Sequence, residues 1–181
     1  MAQLIYQALT SLDGYVNDAK GNFDWAEPNE QVHEFVNDLE RPIGTYLYGR
    51  KLYETMVAWE TMHLHDQPRF MREYAEIWRS AEKVIFSSSL ADVASRRTRI
   101  ERDTSTIAAL KEHATADLAI GGPTLAAVAI RAGLVDEFRQ FISPVIVGGG
   151  TPWLPADVFQ KLQLVEQRDI GGTVYLRYRV A

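Results

Sequence analysis

Cysteine is missing from all 181 residues of the chain. That excludes a disulfide scaffold, a thiolate nucleophile and any metal or iron–sulfur site built on Cys ligands. A surplus of positive charge is missing too: 19 Lys and Arg against 24 Asp and Glu leave a formal net charge of −5, with a pI near 5.4. General nucleic-acid binders carry a basic surplus, so that class is set aside. Long apolar runs are equally scarce. The longest apolar region lies between Asp117 and Arg131, and Gly121-Gly122-Pro123 breaks it well short of a bilayer span. The N-terminal stretch has no cation ahead of its apolar residues and breaks at Ser11-Leu12-Asp13-Gly14, unlike a signal peptide. The expected location is therefore the cytoplasm, with neither a membrane nor a nucleic acid as partner. Repeats, low-complexity tracts and Pro/Gly/Ser linkers are also lacking, so residues 1–181 read as a single domain.

What is present is the ordinary material of a globular protein, with 46% hydrophobic and 24% charged residues. Apolar, β-branched and aromatic runs predict strands near Leu4–Leu9, Ile43–Tyr48, Lys83–Phe86, Leu118–Ile120, Glu137–Val147, Gln163–Arg168 and Thr173–Val180. In the last of these, Val174, Leu176, Tyr178 and Val180 alternate with Tyr175, Arg177 and Arg179, and Gly171-Gly172 supplies a hairpin turn before it. After Pro28, the i, i+3, i+4, i+7 spacing of Val32, Phe35, Val36 and Leu39 predicts a helix that Pro42 stops. After Pro123 the same spacing returns in Leu125, Val128, Ala129 and Ala132, ending at Gly133, and a shorter helix covers Thr106–His113. Strands alternating with helices imply an α/β fold: a mixed, mostly parallel sheet flanked by helices, with a C-terminal antiparallel hairpin.

Ligands of such sheets collect beyond the carboxyl ends of the strands. Three strand ends carry small or polar residues: Gly49-Arg50-Lys51, Ser87-Ser88-Ser89 and Gly121-Gly122-Pro123-Thr124. Amides at a helix start favour an anion, and a guanidinium such as that of Arg50 offers a planar fork to phosphate oxygens. At about 4 Å that contact is worth roughly 4 kcal/mol of gross attraction at an effective dielectric of 20. Together the three tips point to a nucleotide or dinucleotide site in spite of the acidic total.

Competing motifs are absent: no GxxxxGK[ST], no GxGxxG and no GxSxG occurs. His63-Leu64-His65-Asp66 alternates as metal ligands can, but sits in a polar stretch and reads as a solvated loop, so no metal is expected. Arg96-Arg97-Thr98-Arg99-Ile100-Glu101-Arg102 either touches a ribose phosphate or forms a solvated face, and the solvated face is the reading adopted.

The order of Ser11-Leu12-Asp13-Gly14, Asp24-Trp25, Gly49-Arg50-Lys51 with Tyr53-Glu54, Lys83 to Ser88, Gly121-Gly122-Pro123, Val135-Asp136-Glu137 and Pro144 to Gly150 resembles the dihydrofolate reductase-like superfamily. The nearer likeness is to the RibD-type reductase domain of riboflavin biosynthesis, in a stand-alone form. The resemblance implies NADPH binding and direct hydride transfer to a small nitrogen heterocycle or a ribosylaminopyrimidine, as in 5-amino-6-(5-phosphoribosylamino)uracil reductases. It places Gly49, Arg50 and Lys51 near the adenosine phosphates, and Ser87 and Ser88 beside the adenine ribose. Gly121 and Gly122 would admit the cofactor to the backbone, often through a cis peptide, while Thr124 and Leu125 start the helix aimed at the pyrophosphate. Ala8, Leu9 and Val16 would border the nicotinamide, and Trp25 would cover the substrate. The proton donor implied is Glu30, five residues past Trp25, with Asp13 as the alternative; helical spacing alone turns Glu30 away from the apolar stripe.

Two departures from the pattern stand out. Leu52 replaces a family Thr, and Ala126 stands where dihydrofolate reductases keep an aromatic. Pairing of two copies is a further expectation of the resemblance. A non-catalytic nucleotide-binding module and a dihydrofolate reductase proper are the rival readings.

Overall fold

The computed structural model describes residues 2–181. Six strands run parallel: β1 (Leu4–Thr10), β3 (Ile43–Gly49), β4 (Glu82–Phe86), β5 (Thr98–Glu101), β6 (Asp117–Gly121) and β7 (Glu137–Ile142). The hairpin β9 (Leu162–Ile170) and β10 (Thr173–Val180) completes an eight-stranded sheet of order β5-β4-β3-β6-β1-β7-β10-β9, with β10 antiparallel to β7. A second, two-stranded antiparallel sheet joins β2 (Tyr15–Asp18) to β8 (Gly150–Pro152). Helices α1 (Glu30–Glu40), α2 (Arg50–Met56), α3 (Ala58–Thr61), α4 (Arg69–Ser80), α5 (Thr106–His113) and α6 (Pro123–Arg131) fill the connections.

Period-two alternation along the strands divides the core between the two faces. Leu4, Tyr6, Leu47, Val84, Leu118 and Ile120 meet Ile107 of α5 and Leu125, Ala126, Ala129 and Ile130 of α6. On the other face Ile5, Tyr46, Tyr48 and Ile85 meet Tyr53, Tyr74 and Trp78, while Val32 and Phe35 of α1 cover Phe141 and Tyr175. The hairpin glycines take the positive φ that their turn demands, +59° at Gly171 and +89° at Gly172.

One sequence expectation changes, and two elements add to the reading. The strand expected over Glu137–Val147 ends at Ile142, because Ser143-Pro144 removes a donor and turns the chain toward β8. Helix α4 is unannounced by the residue spacing used above, yet it buries Tyr74, Ala75 and Trp78. Part of the basic run forms a strand: β5 pairs with β4, and Arg97, at φ +54°, is ion-paired to Glu82 at 2.9 Å.

Candidate functional site

Parallel pairing sets the carboxyl ends of β4, β3, β6, β1 and β7 side by side. Gly49 lies opposite Phe86, Tyr48 opposite Gly121, and Thr10 opposite Ile142. The glycine tips of β3 and β6 meet closely: a Cβ on Gly122 would sit 3.9 Å from the Gly49 nitrogen, and one on Gly49 would sit 3.8 Å from the Leu125 Cβ. Helices α2 and α6 open from these neighbouring tips, each with glycine as its N-cap. Pro123 gives up no amide at the first position of α6, and a helix start leaves the amides of Thr124 and Leu125 without intrahelical acceptors. The Gly121–Gly122 peptide is trans, contrary to the cis bond that the resemblance implied; φ of +87° at Gly122 makes the turn instead.

Cations gather on this half of the rim. Arg50 is half-exposed, bonded through Nε to Glu54 at 2.6 Å and through Nη1 to the Ser89 hydroxyl at 2.9 Å. Lys51 is exposed beside it. The Ser87 hydroxyl accepts from the amides of Ser89 and Leu90 and so closes the β4 tip, while Ser88 stays exposed. Arg102 clamps the same tip from β5's far side, donating to the carbonyls of Ser87 at 2.6 Å and Leu90 at 2.7 Å. The Leu125 side chain is buried in the core, leaving only its amide for the rim. Arg102, Ser89 and Glu54 are shaping residues that the sequence reading did not select. The hint was there, since the basic run follows the serine tip.

The other half of the rim is built from the tips of β1 and β7. Ala8 and Leu9 point to opposite faces, Ala8 against the α6-side core and Leu9 beneath α1. Thr10, Ser11 and Ser143 are buried at the strand ends. Beyond them, the Asp13 carboxylate accepts the amides of Val147 (3.2 Å) and Gly148 (2.8 Å), and the Leu12 amide donates to the Val145 carbonyl. Bonds from Ser11 and from the two backbone amides hold the Asp13 carboxyl below the usual carboxylate range against the opposing effect of desolvation. It is therefore a fixed anion that organises a loop, ill suited to give up a proton. Val16 is half-buried on β2. Trp25 lies in a single 3₁₀ turn, Asp24–Ala26, with its Nε1 on the Asn22 carbonyl. Glu30 is the first residue of α1, behind an N-cap made by Asn29, and its side chain is exposed to solvent. The geometry thus joins the glycine, serine and arginine tips along one edge and leaves Glu30 outside it. His65 contacts Asp66 at 3.0 Å in an exposed loop before α4.

A comparison with family models matches the RibD C-terminal domain over residues 2–176. The chain belongs to the RibD C-terminal domain family. It is 29% identical over 167 residues to the uncharacterized protein YyaP of Bacillus subtilis (strain 168), covering 90% of this chain and 85% of that protein. Among solved structures it resembles a putative riboflavin biosynthesis protein of Shewanella sp. PV-4, with a TM-score of 0.75 at 21% identity and coverage of 100% and 99%. A diaminohydroxyphosphoribosylaminopyrimidine deaminase/5-amino-6-(5-phosphoribosylamino)uracil reductase of Thermotoga maritima matches with a TM-score of 0.69 at 16% identity; 99% of this chain aligns with 57% of that one. Dihydrofolate reductase of Enterococcus faecalis, complexed with NADP(H), has a TM-score of 0.61 at 15% identity over 98% and 96%. The structural likenesses carry the fold: a RibD C-terminal domain has the dihydrofolate reductase-like sheet. Among the described residues no helix is long and apolar enough to cross a membrane.

Proposed function

We propose that this RibD C-terminal domain is an NADPH-dependent reductase that passes hydride to a small nitrogen heterocycle or to the sugar of a ribosylaminopyrimidine. The observation that carries the reading is the meeting of the β3 and β6 glycine tips, each opening a helix, with Arg50 and Lys51 beside them. That donor set fits a dinucleotide: free amides for the pyrophosphate, a guanidinium and an ammonium for further phosphate, and an exposed Ser88 for a ribose hydroxyl. When bound, NADPH supplies the hydride; the chain's part is to position two reactants. Backbone and hydroxyl groups suffice for that. Asp13 is tied to loop amides and Glu30 is solvent-exposed, so in this reading the accompanying proton comes from water.

The same reading includes a homodimer. Strand β9 is an outer edge, and Leu162, Leu164 and Val165 are exposed there beside Val174 and Val180 of β10, the kind of edge that a second copy covers. Light scattering on the eluting protein tests it, and a monomer at micromolar concentration would remove it.

The decisive experiment is calorimetric titration with NADPH and with NADH, repeated on Arg50→Ala. The intact protein should prefer NADPH, and the variant should lose about 10- to 100-fold in affinity for NADPH while NADH is little changed, the loss expected of one charge-assisted contact. Equal binding of the two dinucleotides by the intact protein would defeat the cofactor assignment. NADPH binding without oxidation by any heterocycle would favour a nucleotide-binding module, and displacement of substrate by methotrexate would favour a dihydrofolate reductase proper.

A further inference from the structure

Charge is divided unevenly along the rim. The β3–β4–β6 half holds Arg50 and Lys51. The other half is made from residues 2–40 and 140–160, and these contain one lysine, Lys20, and no arginine. The same stretch carries five carboxylates between β1 and the start of α1, Asp13, Asp18, Asp24, Glu27 and Glu30, with Asp13 bonded to the loop after β7. Of the guanidiniums against α1, Arg139 and Arg41 meet its C-terminal end at Leu39 and Asp38, while Arg168 is ion-paired to Glu166 and laid 5.0 Å over the Phe35 ring.

Backbone could in principle replace the missing cations. Gly148, Gly149 and Gly150 all take positive φ, the kind of loop whose amides cradle an oxyanion. Here the loop is bonded largely from within the chain. The amides of Val147 and Gly148 are both spent on Asp13, and that of Thr151 is spent on the Asn17 side-chain oxygen at 3.0 Å. A phosphate arriving at this loop would meet an ionised carboxylate where it needs donors.

Large apolar side chains are exposed on the same loops. Leu12 and Ile146 are 64% and 70% exposed on adjoining loops, and Phe23 is half-exposed next to Trp25. Large apolar side chains gathered at the mouth of a site suit the flat face of a ring.

We infer that the reactant taken by the β1–β7 half carries no phosphate and is a planar heteroaromatic compound that is uncharged or cationic. This rests on the reductase reading above and narrows its substrate class, separating the chain from phosphoribosyl-type substrates. The test is calorimetry on NADP⁺-loaded protein with a matched pair, 5-amino-6-ribosylaminouracil and its 5′-phosphate, together with an uncharged dihydropterin. The phosphorylated compound should bind at least tenfold more weakly than its partner at low salt, and the gap should shrink as salt screens the carboxylates. Asp24→Lys/Glu27→Lys should also narrow it. Equal or tighter binding of the phosphorylated compound overturns the inference, as does a gap that neither salt nor the charge-reversed variant alters. Failure of NADP⁺ or NADPH to bind at all is a separate result and strikes the cofactor reading instead.

Discussion

The Asp13 carboxylate takes the amide hydrogen of Gly148 at 2.8 Å, and so ties the loop after the first strand to the loop after the seventh, 135 residues away. The bond is one of a set. Leu12 donates to Val145, Trp153 to the Gly14 carbonyl, and β2 pairs with β8, so the two loops form one flap over the rim. Removing the carboxylate frees two amides and lets the flap drift. Asp13→Ala should raise KM and lower kcat/KM roughly 10- to 100-fold, the range for a displaced positioning element, and Asp13→Asn should recover part of the loss. Hydrogen exchange at Val147 and Gly148 should quicken in the alanine variant. The folded pKa is depressed, so this contribution is present above the ordinary carboxylate value and disappears as pH falls through the lower folded value. Slow exchange in Asp13→Ala at neutral pH would show that the latch does not hold the flap.

Arg50 serves two neighbours at once, Glu54 and the Ser89 hydroxyl. An exposed pair of this kind is worth no more than about 1 kcal/mol. It nonetheless competes with any phosphate for the same guanidinium. Glu54→Gln should therefore tighten NADPH binding up to about fivefold and leave NADH unaffected, as read by calorimetry. A weaker NADPH complex would mean that Glu54 aims Arg50 rather than restrains it.

What could be read beforehand follows from the range over which each signal acts. The alternation of β10, the Gly171-Gly172 turn and the helix spacing after Pro28 and Pro123 are local, and each appears in the structure. The strand tips were legible because glycine and serine at the end of an apolar run leave few alternatives. The flap was not, since the partners of Asp13 lie more than a hundred residues away and β8 is only three residues long. Arg102 was passed over for the same reason: its acceptors are carbonyl oxygens, which have no signature in sequence. Helix α4 is amphipathic, but its aromatic residues at 70, 74 and 78 sit amid charges and lack the capping cues of α1.

Glu40 is buried at the end of α1, one oxygen accepting from Gln7 Nε2 at 2.9 Å. Its other oxygen faces the buried Tyr46 hydroxyl. Burial pushes its pKa above the usual carboxylate value, although the Tyr46 hydroxyl and then the charge of Arg139 work the other way. A carboxyl raised on folding binds a proton more readily in the native state. Stability must then fall as pH rises from the ordinary carboxylate value through the raised one. Glu40→Gln keeps an oxygen for Gln7 and removes the buried charge. It should stabilise the protein at pH 8 by about 0.5–2 kcal/mol, within the span of ordinary stabilising substitutions, and the advantage should vanish in acid. Urea unfolding at pH 4 and pH 8 measures both; destabilisation at pH 8 would show that the ionised form is well bonded.

Leu52 explains why Gly121 has no side chain. A Cβ at Gly121 would clash with the Leu52 Cδ2 and stand 3.1 Å from the Tyr48 ring, so the space at the β6 tip is already filled from α2. Gly121→Ala should cost about 1–3 kcal/mol, the usual penalty of overpacking. Leu52→Thr shortens the intruding side chain and supplies a hydroxyl near the α2 amides. The double variant Gly121→Ala/Leu52→Thr should recover most of the stability, with a coupling of at least about 0.5 kcal/mol in a double-mutant cycle, as contacting residues show. Additive losses in urea titrations would place the crowding on Tyr48, whose ring is fixed within the core and cannot yield.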